Sequence, residues 1–109
     1  MNKQMIYTNT PDVPGREIVE VLGIVTGNVV QTKHVGKDIV ASFKTLVGGE
    51  ITGYTDMLTE ARHKAISRMV EDALKMDADA IVNLRFTTSS IMKNASEILV
   101  YGTAVKLAD

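Results

Sequence analysis

The chain lacks cysteine altogether, and tryptophan is missing as well. Without cysteine there can be no disulfides, thiolate nucleophiles, cysteine zinc sites or iron–sulfur clusters. Three tyrosines and two phenylalanines are the only aromatic residues, so surfaces for stacking bases or flavins are scarce. These absences exclude many classes of enzyme.

The chain also lacks an excess of charge of either sign, with 12 basic and 13 acidic residues and a net charge of −1. A balance of this kind gives no broad positive field for a nucleic acid or an anionic membrane, so neither is predicted as a partner. No stretch approaches the roughly 20 apolar residues that span a bilayer, and the N-terminal residues have no signal-like apolar core. These features predict a cytoplasmic location.

What is present indicates one folded domain covering residues 1–109. The hydrophobic fraction is 45% and the charged fraction 23%, both ordinary for a globular protein. The length is typical of a single domain, and composition does not change along the chain.

The first part of the chain is rich in β-branched residues. Met5–Thr8 predicts a short strand, which the two prolines and the glycine of Thr10–Gly15 end. Glu17–Val30 predicts a long principal strand. Within it, Gly23 and Gly27 indicate a bulge, a bend or a close approach of another backbone.

Two helices are predicted in the middle of the chain. Ile39–Val47 has apolar residues at helical spacing and is followed by Gly48 and Gly49, a typical helix stop. Thr55–Met76 is the clearer of the two, with an apolar stripe and capping at Thr55. The stripe consists of Leu58, Ala61, Ala65, Met69, Ala73 and Met76.

Two further strands follow. Ala80–Thr88 alternates between an apolar face (Ala80, Val82, Leu84 and Phe86) and a mixed face (Ile81, Asn83, Arg85 and Thr87). Ser89–Ala95 is predicted as a connection, and Glu97–Leu107 as a strand in which Gly102 can form a bulge.

This order, β-α-α-β-β, predicts an α+β fold with two layers, in which two helices cover one face of an antiparallel sheet. The principal strand nevertheless has apolar residues on both sides: Val19, Val21, Val25 and Val29 against Ile18, Leu22, Ile24 and Val30. Because exposed apolar surface of this size is costly, we expect self-association to cover the second face. The alternative is that the N-terminal segment of the same chain covers it.

Four long segments resemble the YbjQ-like family of small bacterial and archaeal proteins: VEVLGIVTGNVV, LVGGEITGYTDMLTEAR with the following RMVEDA, AIVNLRFTTSSI and EILVYGTAV. The resemblance covers nearly the whole chain. It implies a dodecin-subunit-like arrangement and assembly of a ring-shaped homo-pentamer. The family often carries a heavy-metal-binding label, which must be tested against the residues because a fold does not establish a function.

For a metal ion, the available soft or borderline ligands are six methionines and two histidines. Glu60 and His63 lie within one predicted helical turn, and His34 is the second histidine. Sites of this type need several such pairs to converge, which a symmetric ring could supply. The alternative is a solvated histidine. No cofactor is predicted, and a metal ion remains an open alternative.

Polar residues in unusual positions are the other candidates for ligand binding. Arg62 falls within the apolar stripe of the second helix. There it either pairs with Glu97, Glu50 or a carboxylate of a neighbouring subunit, or extends to the helix edge. If Arg62 instead binds a ligand, that ligand would be an anion. Asn83 and Arg85 lie on the mixed strand face, which in an oligomer can meet a neighbour or line a channel.

No catalytic arrangement can be identified from spacing. The leading hypothesis is a homo-oligomeric binding or assembly module, able to take a small ligand or ion, without catalysis of its own. The alternatives are a metal-binding protein and an enzyme with a site between subunits, for which Arg62 and Asn83 are the first residues to mutate.

Overall fold

A computed structural model describes residues 4–32, 52–92 and 95–109 of the chain. These residues form an α+β fold with four strands and one helix. The elements are β1 (Ile6–Tyr7), β2 (Ile18–Thr32), α1 (Thr52–Lys75), β3 (Ala80–Met92) and β4 (Ala95–Leu107). The predicted helix Ile39–Val47 lies outside the described residues.

The strands form one sheet in the order β1-β3-β4-β2. The pairs β2–β4 and β3–β4 are antiparallel, as predicted, but β1 runs parallel to β3. The sheet is therefore mixed, and the prediction of a purely antiparallel sheet was wrong at this edge. Hydrophobic periodicity reveals a strand but not its neighbour, and only Ile6 and Tyr7 of β1 pair with β3.

α1 lies across one face of the sheet, over β2 and β4. Its contact row is Ala61, Ala65, Met69 and Ala73, four residues spaced by one turn and all buried. The alanines leave room for the backbones to approach, and Gly27 of β2 is opposite Ala65. Four of the six residues of the predicted apolar stripe thus join the main core together with Val25, Val29, Ile98, Val100 and Ala104. Leu58 is only partly buried, and Met76 is 40% exposed beyond the end of the helix.

Bulges change which side chains share a face. In β3 the register shifts between Val82 and Arg85, where Asn83 has φ 54°. The extra residue places Leu84 with the main core, whereas Val82 lies on the opposite face, so the predicted strict alternation was wrong beyond Val82. In β2 a shift occurs at Gly23, as predicted. Gly102 forms no bulge of its own strand but lies opposite the β3 bulge, between Thr103 and Tyr101.

Among the described residues, the sheet face that points away from α1 is covered at one end only. There Ala80, Val82, Val105 and Leu107 form a second buried cluster, against which Val13 and Ile18 pack. Val13 belongs to the segment before β2, so the alternative in which the N-terminal segment covers this face holds for this end. Toward the other end of the sheet the face is exposed.

Candidate functional site

The exposed part of this face, here called the open face, is formed by β2 and β4. Its residues are Ile24, Thr26, Asn28, Val30, Leu99 and Tyr101. Ile24 is 74% exposed, Val30 51% and Tyr101 39%. Thr26 is directly opposite Tyr101, and Asn28 is opposite Leu99. Apolar and polar side chains therefore alternate across one continuous surface.

Fixed polar groups flank the open face. The Asn28 side-chain amide donates to Glu97 Oε2 at 3.0 Å. Arg85, opposite Tyr101 in the sheet, donates through Nη1 to the carbonyl oxygens of Asn9 and Leu84, each at 2.9 Å. These bonds hold Arg85 and Glu97 against the sheet.

The candidate ligand-binding residues are not brought together. Arg85 and Glu97 both flank the open face. Arg85 is opposite Tyr101, four residues along β4 from Glu97, which corresponds to about 14 Å at ~3.4 Å per residue. Asn83 lies in the β3 bulge, where its backbone N–H donates to the Thr10 carbonyl at 2.9 Å. Arg62 is on α1, in the other layer. This arrangement provides contacts for a surface rather than a compact pocket.

Arg62 is exposed and donates to Thr59 Oγ1 within its own helix at 3.2 Å. This exposure fits the alternative in which Arg62 extends to the helix edge rather than the alternative of a buried ion pair. Arg62, Ile66 and Val70 form the row next to the contact row, and the two apolar members of that row are only partly buried. The helix meets the sheet along the alanine row, and Arg62 lies at the margin of the contact. Glu97, one of the predicted partners of Arg62, instead accepts a hydrogen bond from Asn28 on the opposite face of the sheet.

The metal-ligand candidates Glu60 and His63 are both exposed on α1, and His34 lies outside the described residues. Within residues 4–32, 52–92 and 95–109, no three acidic or histidine side chains come close enough to hold a metal ion. Glu60 does line a shallow cleft of about 270 Å³ between α1 and the end of β2. Its other lining residues are Gln31, Met57, Ala61 and Lys64. One carboxylate and one thioether make an incomplete site for a soft ion.

Charged residues also meet at the far end of α1. Lys106 Nζ and Asp77 Oδ2 form an ion pair of 2.9 Å. This hydrogen bond, with the nearby charges of Asp77, Asp79 and Glu20, raises the pKa of Lys106 above its ordinary value of 10.5, although desolvation opposes the rise. Asp79 Oδ2 accepts the backbone N–H of Leu107 at 2.8 Å. These contacts fasten the end of β4 to the helix end.

Arg68 was not identified from the sequence. It is exposed on α1, and its Nη1 donates to the carbonyl oxygen of Asn28 on β2 at 2.6 Å. A charged residue on the polar side of an amphipathic helix gives no signal that it reaches a strand. The spacing of α1 over β2 had to be known first.

As for membranes, α1 is too polar to cross a bilayer, and it is the one helix in the part of the chain that the structure describes.

Comparison with known proteins gives consistent matches along the chain. Residues 5–108 match the YbjQ family model, described as "Putative heavy-metal-binding". A UPF0145 protein of Photobacterium profundum is 68% identical and covers 94% of this chain and 100% of its own length. UPF0145 proteins of Vibrio campbellii and Thermosipho africanus are 64% and 63% identical, and each match covers 94% of this chain. It covers 99% and 95% of those two proteins, respectively.

A solved structure supports the fold. A protein of unknown function from Pediococcus pentosaceus, belonging to the DUF74 family, superposes with a TM-score of 0.65. The match covers 95% of this chain and 98% of that one at 15% sequence identity. At this identity the likeness concerns the fold alone.

Proposed function

The chain belongs to the YbjQ family, and from this membership we propose that it is a homo-oligomeric binding or assembly module without catalysis of its own. Copies associate through the open face of the sheet. The family resemblance further suggests a ring of five subunits, and we place this ring in the cytoplasm.

The exposure of Ile24 and Val30 is the observation that carries this proposal. Both are β-branched residues in the regular part of β2, with 74% and 51% of their surfaces exposed. Burying a side chain of this size contributes about 1.5–3 kcal/mol, a large share of the net stability of a small domain. A second copy would recover this contribution, and Asn28 and Glu97 would add directional contacts at the edge.

Ring geometry defines what the open face contacts. In a cyclic pentamer every interface is head-to-tail, so the open face of one copy meets a different surface of the next. Each interface then contains one open face, and a single substitution there affects every contact of the ring.

The test is the mass of the protein in solution. The wild type is expected to have a mass several times that of the 11.9 kDa chain, measured by light scattering after size exclusion. Ile24→Glu places a charge in the open face and should give folded single chains, since a buried unpaired carboxylate is costly. Ser67→Glu introduces the same charge on the exposed side of α1 and should keep the wild-type mass. Native mass spectrometry gives the subunit number.

Two results would contradict the proposal. One is a wild-type chain that stays folded and monomeric across the concentration series. The other is an Ile24→Glu variant that assembles as the wild type does. Circular dichroism of each variant distinguishes loss of assembly from loss of fold.

Metal binding is the second candidate, favoured by the description of the family model. Glu60 and His63 are exposed one helical turn apart, and Glu60 lines the cleft beside Met57. Because these groups alone make an incomplete site, this function would need ligands from another copy in the ring. Elemental analysis of the purified oligomer tests it.

A further inference from the structure

The outer edge of β2 has the features that favour pairing with strands of other chains. In the sheet order β1-β3-β4-β2, no strand pairs with that edge among the residues that the structure describes. Between Glu20 and Lys33 the strand contains no charged residue and is rich in valine and isoleucine. Uncharged β-prone segments on a sheet edge are typical starting points of strand-mediated aggregation.

The backbone groups of Asn28 point outward from this edge. Asp79 donates its N–H to the carbonyl of Val105, so odd-numbered residues of β4 direct their backbone groups toward β3. Even-numbered residues of β4 therefore face β2. Asn28 is opposite Leu99, an odd-numbered residue, and so turns its N–H and C=O away from the sheet. An incoming strand would pair with these groups.

The first part of the edge is interrupted and the second part is regular. Register shifts occur at Ile18/Glu20 and at Val21/Gly23, and bulges of this kind bend an edge away from strand partners. From Gly23 to Thr32 the pairing is continuous. Asn28 lies near the middle of this regular stretch, which is where an added strand would fit best.

The side chain of Arg68, on α1, reaches the edge of β2 at Asn28. Its guanidinium donates to the outward carbonyl of Asn28 at 2.6 Å, a short charge-assisted hydrogen bond. We propose that Arg68 closes the edge of β2 to strand addition by other chains, by supplying from the helix the positive charge that the strand itself lacks. An incoming strand would have to break this bond and accept a guanidinium against its backbone.

The opposite edge of the sheet shows why β2 in particular needs such protection. Along the start of β3, the outward groups of Ile81 and Leu84 bond with Thr8. Beyond the bulge, the edge continues through Thr87, Thr88 and the two serines that follow, which are polar. Among the strands in residues 4–32, 52–92 and 95–109, only β2 combines a long regular edge with an apolar sequence. The inference concerns this edge and is independent of whether copies associate through the open face.

The test compares Arg68→Ala with Arg62→Ala in the full chain. Both variants remove one exposed arginine from α1. Among the described residues, however, Arg62 bonds only with Thr59 of its own helix, whereas Arg68 bonds with β2. Thioflavin T fluorescence and light scattering are followed at a temperature at which circular dichroism shows both variants to be folded. Arg68→Ala should aggregate on the order of tenfold faster than Arg62→Ala, the factor expected for one charge-assisted bond. Arg68→Lys, which keeps a charged donor, should stay near the wild type.

Equal aggregation rates of Arg68→Ala and Arg62→Ala would overturn the proposal, and so would an acceleration seen only where Arg68→Ala unfolds. Light-scattering masses of the soluble fractions are recorded in parallel. A soluble Arg68→Ala variant with wild-type mass and faster fibre formation separates edge protection from assembly through the open face.

Discussion

Gly27 of β2 lies directly against Ala65 of α1. A methyl group at Gly27 would overlap the carbonyl oxygen of Ala65 and come within 2.7 Å of the backbone nitrogen of Met69. The contact is between two backbones, so neither can yield by changing a rotamer. The helix therefore sits at this height above the sheet because position 27 has no side chain.

Gly27→Ala should destabilise the protein by about 1–3 kcal/mol or more, because the added methyl forces helix and sheet apart. Urea denaturation at one fixed protein concentration measures the change. Ser67→Ala, on the exposed side of α1, is the control and should change stability by no more than about 0.5 kcal/mol. Equal stability of the two variants would show that the helix can shift freely.

The Lys106–Asp77 pair predicts a pH dependence at the alkaline end. The pKa of Lys106 is raised in the folded chain, mainly by its hydrogen bond with Asp77. A raised lysine pKa stabilises the fold below the ordinary value of 10.5 and loses this effect as pH rises through the folded value. The effect is small and sensitive to salt, since the pair is exposed to solvent.

Comparison of wild type with Lys106→Gln shows this contribution. The difference in unfolding free energy should be constant at neutral and mildly alkaline pH and should narrow above 10.5. High salt should reduce this difference in unfolding free energy at every pH. A difference that widens as pH rises would contradict the assignment.

For metal ions, the exposed pair of Glu60 and His63 predicts weak binding by the chain. Calorimetric titration with zinc or copper should show affinities no tighter than about millimolar, and His63→Ala should leave the titration unchanged. Tight binding that His63→Ala removes would instead favour the metal-binding candidate. The wild-type oligomer is the sample to use, so that ligands from neighbouring copies are present.

The sequence predicted those parts of the fold in which periodicity is uninterrupted. In β4, Ile98, Val100 and Ala104 line the core while Leu99 lies on the other face, as their alternation predicted. The alanine row of α1 was predicted in the same way. Bulges were harder, because the single extra residue at Asn83 reverses the faces of β3 from Leu84 to the next register shift after Ser90.

The candidate site was less predictable than the fold. The apolar surface on both sides of β2 was visible in the sequence, and Ile24 and Val30 are indeed exposed. For Arg62 the sequence left two alternatives open, because a helical wheel shows direction but not where the contact between helix and sheet ends. Arg68 was missed because its bond joins residues that are 40 positions apart.

The absence of cysteine from the chain allows the central claim to be tested with a single introduced thiol. Ile24→Cys places it in the open face, and Ser67→Cys places it on the exposed side of α1 as a reference. The measurement is the rate at which each thiol reacts with a soluble maleimide as the protein is concentrated from about 1 to about 100 µM. If copies cover the open face, the Ile24→Cys thiol should react more slowly as concentration rises, while the Ser67→Cys rate stays constant. An Ile24→Cys rate that stays as constant as the Ser67→Cys rate, while light scattering gives the mass of a single chain throughout, would show that the open face remains in contact with water and would contradict the account.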